Sequence, residues 1–194
     1  MSRIPPATKK NLFVRFTEFA ARREYGRDMS PVGVLAHRPR ILFGYGIHEK
    51  AVASKPRLPA RLSCLAQLKA AAVVACEFCV DIGSHVAREA GVTGEELLDL
   101  PRYRESERFD ALDTLVLDYT VAVTRTPCEV TDEVVARLRE HLDDPQIVEL
   151  THMIALENQR ARFNCALDLE PAGFSEGKVC AVPEREPTPA GATA

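Results

Sequence analysis

The chain has 194 residues, 46% hydrophobic and 27% charged, with 25 basic against 28 acidic side chains and a formal net charge of −3. That is the length and composition of one globular domain, and the slight acidic excess excludes a strongly basic nucleic-acid binder. The longest strictly apolar run, Ala70 to Cys76, falls far short of the roughly 20 residues a membrane helix requires. The opening MSRIPPATKK has no apolar stretch of the kind a secretory signal carries, so a cytoplasmic protein is expected.

Leu12, Phe13, Phe16, Phe19 and Ala20 recur at three- and four-residue steps and predict a first helix over Asn11 to Glu24. Tyr25 to Pro31 reads as a loop. Pro39 opens a helix to about Ser54, interrupted in pattern by Gly44 and Gly46. From Ala60 a Leu- and Ala-rich segment is strongly helical, and a further helix runs from the Cys76 region to Ala90, ended by Gly91. Thr93-Gly-Glu-Glu96 is a capping box, opening a short helix that stops before Pro101. Leu112, Leu115, Val116, Tyr119 and Val123 mark the next helix, which ends at Thr126-Pro127. Another runs from Thr131 to about Leu142. Asp144, as a cap before Pro145, begins a long helix to about Leu167. No alternating strand pattern competes, so the expected fold is all-α, with seven or eight helices in one domain over residues 1–182. The first helix is read as an N-terminal arm. The proline-rich polar segment 183–194 reads as a disordered tail.

Six cysteines stand at positions 64, 76, 79, 128, 165 and 180. In a reducing compartment such residues are buried filler, metal ligands or redox groups. Spacing singles out Cys76 and Cys79. Three residues apart, they lie about 60° apart around a helix, so both sulfurs can meet. In a first turn, free N–H groups and the helix dipole favour thiolate. A low-pKa thiol beside a resolving partner suits reversible redox chemistry. A structural metal site would need a second matching ligand pair, and neither another C-x-x-C nor an H-x-x-x-H occurs, so no metal or other cofactor is expected. Gly44-Tyr-Gly46 lacks the strand and third glycine of a dinucleotide site. Arg160 and Arg162 are read as helix-face ion pairs, with binding of a carboxylate substrate as the alternative. Cys128 and Cys165 read as structural.

The segment Cys76-Glu-Phe-Cys79, followed by Val80, Asp81, Ser84, Ala87-Arg88 and Gly91, resembles the signature of the carboxymuconolactone decarboxylase superfamily, in its AhpD-like alkylhydroperoxidase branch. Glu157 to Asn164 and Gly173-Phe-Ser-Glu-Gly177 resemble a longer branch of the same superfamily. The resemblance implies an AhpD-like helical bundle, usually oligomeric. It also implies that Cys79 attacks a small hydroperoxide, that Cys76 closes the disulfide, and that an external dithiol restores the pair. Two positions depart from the family pattern. The Glu expected twelve residues before the first cysteine is Cys64, and the His expected four after the second is Gly83. His85 is the nearest replacement for that His, although it lies about 120° around a regular helix from Cys79. Glu149, His152 and Glu157 are further candidates for the missing base. Cys64, on the family pattern, would point toward the pair as a third thiol. Two other functions stay open: a carboxymuconolactone decarboxylase-type lyase, which uses acid–base groups rather than a dithiol, and a non-catalytic helical oligomer with a decayed site.

Overall fold

The computed structural model describes residues 2–184. Among these residues nine α-helices and one 3-10 helix follow one another, and no strand occurs. The α-helices are α1 (Leu12–Tyr25), α2 (Ser30–Leu35), α3 (Pro39–Val52), α4 (Ala60–Val73), α5 (Glu77–Glu89), α6 (Gly94–Asp99), α7 (Ala111–Thr124), α8 (Asp132–Arg139) and α9 (Asp144–Ala166). The 3-10 helix, Leu100–Glu105, continues directly from α6 with Pro101 in its first turn.

The caps explain most of the boundaries. Asn11 accepts the Val14 N–H and starts α1. The Thr93–Glu96 capping box forms as expected, with the Thr93 N–H donating to Glu96 at 2.7 Å. The cap of α9 is Asp143, one residue earlier than expected. Asp143 and Gln146 exchange side-chain and backbone bonds of 2.8 and 2.9 Å, which leaves Asp144 and Pro145 inside the helix. The extra helix is α2, in a stretch read as loop up to Pro31. Its first turn contains Pro31, a position that needs no backbone donor.

The centre of the bundle is α4, packed against α5, α7 and α9. Leu62, Ala66 and Ala70, four residues apart, feed one core cluster with Leu115, Leu138, Leu150 and Ile154. Leu65, Leu68 and Ala72 feed a second, with Phe78, Val80, Leu97 and Leu117. The cysteine pair lies in this second cluster. The alanines let neighbouring helices approach closely, so the turn that carries the pair is enclosed.

The N-terminal elements form a smaller cluster of Ala7, Val14, Ala36 and Leu42. They leave Leu12, Phe16 and Phe19 of α1 and Ile41, Phe43 and Ile47 of α3 exposed. At the other end of the chain the expected tail is in part anchored. The Glu184 N–H donates to Ala72 O at 2.8 Å, and its carboxylate meets the buried Lys69 ammonium at 2.5 Å. Lys69 also reaches Leu100 O and lies over the Tyr103 ring. The rest of the expected disordered tail, 185–194, lies outside the described residues. No helix among the described residues is long and apolar enough to cross a membrane.

Candidate active site

The cysteine pair sits where α4 turns into α5. Helix α4 ends in a Schellman arrangement: the Ala75 N–H reaches Ala72 O and the Cys76 N–H reaches Ala71 O, both at 3.0 Å. That motif needs a left-handed residue, here Ala75 at φ 60. For a residue with a Cβ this conformation costs about 1 kcal/mol, and in return it aims Cys76 back into the core. Cys76 is at once the last residue of the α4 cap and the N-cap of α5. Its sulfur accepts the Cys79 N–H at 3.2 Å. Cys79 is the third residue of α5, so the two thiols face each other on the same side and are hydrogen-bonded.

This arrangement polarises the pair. The Cys79 thiol donates to the Cys76 sulfur, and with the Cys79 N–H it outweighs burial and holds the Cys76 thiol below its ordinary range. Cys79 is pushed up, first by that hydrogen bond, then by burial and by the nearby Glu157 charge. Asn164, from α9, donates its Nδ2–H to Cys79 Sγ at 3.3 Å, a contact ready to support charge there.

Glu157 completes the site from α9. Its carboxyl lies beside the Cys79 thiol, and the residue is only 6% exposed. Burial raises its pKa despite Arg160, whose Nη1–H donates to Glu157 Oε2 at 3.0 Å. Arg160 is held in turn by Glu49 of α3, through Nε–Oε1 at 2.8 Å and a second Nη2–Oε2 contact, and by Gln67 Oε1 at 3.0 Å. Burial alone would raise Glu49, but the Arg160 hydrogen bond and charge outweigh it and leave Glu49 lowered. The Tyr45 hydroxyl joins Glu49 and Arg160 and is raised chiefly by burial. Two carboxylates thus share one guanidinium, and only the one beside the thiol is raised.

The structure brings Cys76 and Cys79 together and does not bring His85 to them. His85 is partly exposed, its Nε2 stands 3.6 Å from Glu89, and its ring stacks on Phe174. The regular helix between Cys79 and His85 keeps the 120° offset. At the family His position a Cβ on Gly83 would stand tightly against α4, 3.0 Å from Leu68 Cδ1. Cys64 packs against the same core cluster as the pair. Its thiol is raised by burial and by Glu89, at the far end of α5. Of the other candidate bases, Glu149 accepts the Arg57 and Leu58 N–H groups, and His152 pairs with His48 at 2.8 Å. Arg160 is an ion-pair residue, as expected, but a partly buried one that ties α9 to Glu49 of α3 and Gln67 of α4. Glu49, Gln67 and Asn164 were not anticipated as site residues. Among the described residues no group of three or more His, Cys, Asp or Glu side chains could hold a metal ion.

The remaining motif residues support α5. Asp81 accepts the N–H groups of Phe174 and Ser175 at 3.0 and 2.7 Å, and Ser84 Oγ accepts the Ala181 N–H at 3.0 Å. Gly173 and Gly177 take positive φ and turn this segment along α5. The two separated stretches of the motif are one structural unit.

Comparison with known proteins agrees with this construction. Residues 44–117 match the Carboxymuconolactone decarboxylase family, a span that includes both cysteines. The Escherichia coli (strain K12) protein YnjA, itself uncharacterized, is 33% identical over 184 residues, 94% of this chain and 98% of that protein. Two solved structures share the fold. One is an AhpD-core, peroxidase-related protein from Ralstonia eutropha JMP134, with a TM-score of 0.75 and 18% identity over 88% of this chain and 92% of that one. The other is the debrominase Bmp8 in its apo form, with a TM-score of 0.76 and 15% identity over 88% of this chain and 91% of that one. At these identities the two structures speak for the architecture alone. The 33% identity to YnjA over nearly the full length and the family match across the cysteine turn agree: this chain belongs to the carboxymuconolactone decarboxylase family.

Proposed function

We propose that the protein is a thiol-dependent peroxidase in which Glu157 supplies the proton transfers that other family members draw from the positions of Cys64 and Gly83. The reading is carried by one observation: two adjacent buried thiols at a helix start with a buried carboxyl of raised pKa beside them. Glu157 takes the Cys79 proton as the thiolate attacks the outer oxygen of a hydroperoxide. The O–O bond breaks, Glu157 returns the proton to the departing alkoxide, and Cys79 becomes a sulfenic acid. The Cys76 thiolate then attacks Cys79 Sγ. The S–S bond forms, and hydroxide leaves and is protonated to water. An external dithiol reduces the disulfide. A reducing, cytoplasmic setting would supply that donor.

The test is direct. Reduced protein given one equivalent of cumene hydroperoxide is expected to lose two hydrogens on the peptide spanning Cys76 and Cys79, and to turn over when a dithiol is added. Oxidation without turnover would favour a non-catalytic module. Turnover of a lactone, with the thiols left reduced, would favour the lyase.

The same proposal includes a homo-oligomer that buries the exposed apolar residues of α1 and α3, because a patch this apolar is rarely left to solvent. Light scattering is expected to give a multiple of the 21.4 kDa chain mass, and Phe16→Asp with Phe19→Asp is expected to lower it. A monomeric wild type would end that part of the reading.

A further inference from the structure

Cys76 and Cys79 are 1% and 5% exposed. A reductant must approach a disulfide sulfur in line with the S–S bond, and a protein-sized dithiol has no such path to this pair. Cys165 does have one face toward solvent. It lies in the last turn of α9, next to Asn164, and is only partly buried. Its sulfur packs over the α4–α5 turn, 3.9 Å from Val74 O, and its thiol is hydrogen-bonded to Cys76. Cys76 therefore has a thiol on either side: Cys79 toward the core and Cys165 toward the surface.

We propose that Cys165 is a third redox thiol, which carries oxidising equivalents from the buried pair to the surface by exchange with Cys76. The inference rests on the dithiol reading above. Once Cys76 and Cys79 are bonded, the Cys165 thiolate attacks Cys76 Sγ. The Cys76–Cys165 bond forms and the Cys76–Cys79 bond breaks. Cys79 leaves with the electron pair and takes up the proton that Cys165 lost. No net oxidation occurs. An external dithiol then attacks Cys165 Sγ and frees Cys76 as thiolate. The donor's second thiol displaces Cys165, and the donor departs as a disulfide.

The electrostatics order these steps. In the reduced protein burial, followed by the charge of Cys76 and the hydrogen bond to it, pushes the Cys165 thiol up to about 11. Oxidation of Cys76 removes that charge and that bond. The hold on the Cys165 proton therefore weakens only when there is a disulfide to receive the attack.

Three measurements test this. Cys79→Ser treated with diamide is expected to link Cys76 to Cys165, read by peptide mapping. Wild type quenched with an alkylating agent after one equivalent of cumene hydroperoxide is expected to show the Cys76–Cys79 linkage with a minority of Cys76–Cys165. In Cys165→Ser the oxidised pair is expected to be reduced by thioredoxin about ten-fold more slowly than in wild type, because the accessible sulfur is gone, and the loss with the smaller dithiothreitol is expected to be less. Free Cys76 and Cys165 in diamide-treated Cys79→Ser, or equal re-reduction rates in Cys165→Ser and wild type, would overturn the relay. A wild type that never forms the Cys76–Cys79 bond, while Cys79→Ser still links Cys76 to Cys165, strikes the dithiol reading itself and takes the relay with it.

Discussion

Cys79→Ser is expected to lower hydroperoxide turnover by at least about 10³-fold, the scale on which enzymes respond to loss of a covalent nucleophile. Cys76→Ser is expected to fail at a different point. It retains Cys79 and Glu157, so the first step proceeds, and the Cys79 peptide gains one oxygen atom instead of losing two hydrogens. The fold should survive both changes. Serine is a better N-cap than cysteine, so the Cys76→Ser variant keeps the bond from the Cys79 N–H that starts α5. A serine at position 79 keeps a donor for Glu157 and an acceptor for Asn164. Circular dichroism would verify this, and the mass of the Cys79 peptide separates the two roles. If Cys76→Ser alone stopped the first step, the nucleophile would be Cys76, the thiol that the structure holds lower.

Glu157→Gln is expected to reduce kcat/KM by about 10²- to 10³-fold, the usual worth of a positioned general base. The pH profile is the sharper readout. A base must be ionised to accept the Cys79 proton, so activity falls as pH drops through the pKa of Glu157. Burial raises that pKa, and Arg160 offsets the rise only in part. The acid limb of wild type should therefore lie above the ordinary glutamate range, near 4.5. In Glu157→Gln that limb should vanish, while Arg160 keeps an amide oxygen and both Glu49 contacts. A limb that persists unchanged in the variant would assign the titration to another group.

Gly83 and Glu157 are the two positions on which the proposed relay turns. At position 83 helices α4 and α5 approach so closely that a side chain would meet Leu68. On the proposed reading the acid–base group comes instead from α9. Its presence is encoded in the pattern of that helix. Leu150, Ile154, Glu157, Ala161 and Asn164 are spaced four, three, four and three residues apart, and all are buried. Glu157 and Asn164 are the two polar residues on that core-facing stripe, and both reach Cys79. A carboxylate and an amide on a buried stripe need partners. That signal was available from the residues, but the partners were not.

Local chemistry determined much of this protein unaided. Helical spacing of apolar residues, the Thr93 box, the proline boundaries and the Cys-x-x-Cys turn all depend on residues within about one helical turn of each other, so they read directly from order. Short irregular pieces escaped because their patterns are too brief: α2 has six residues, and the 3-10 helix continues through Pro101 where a helix end was expected. Tertiary structure alone decided which ionisable groups meet the sulfurs. His85 is nearer in sequence to the pair, yet regular helix geometry points it toward Phe174. Glu157, Asn164 and Cys165 lie about eighty residues away and arrive because α9 packs across α4 and α5. Proximity across a helix interface is set by how whole apolar faces interlock, and no local spacing rule carries that information.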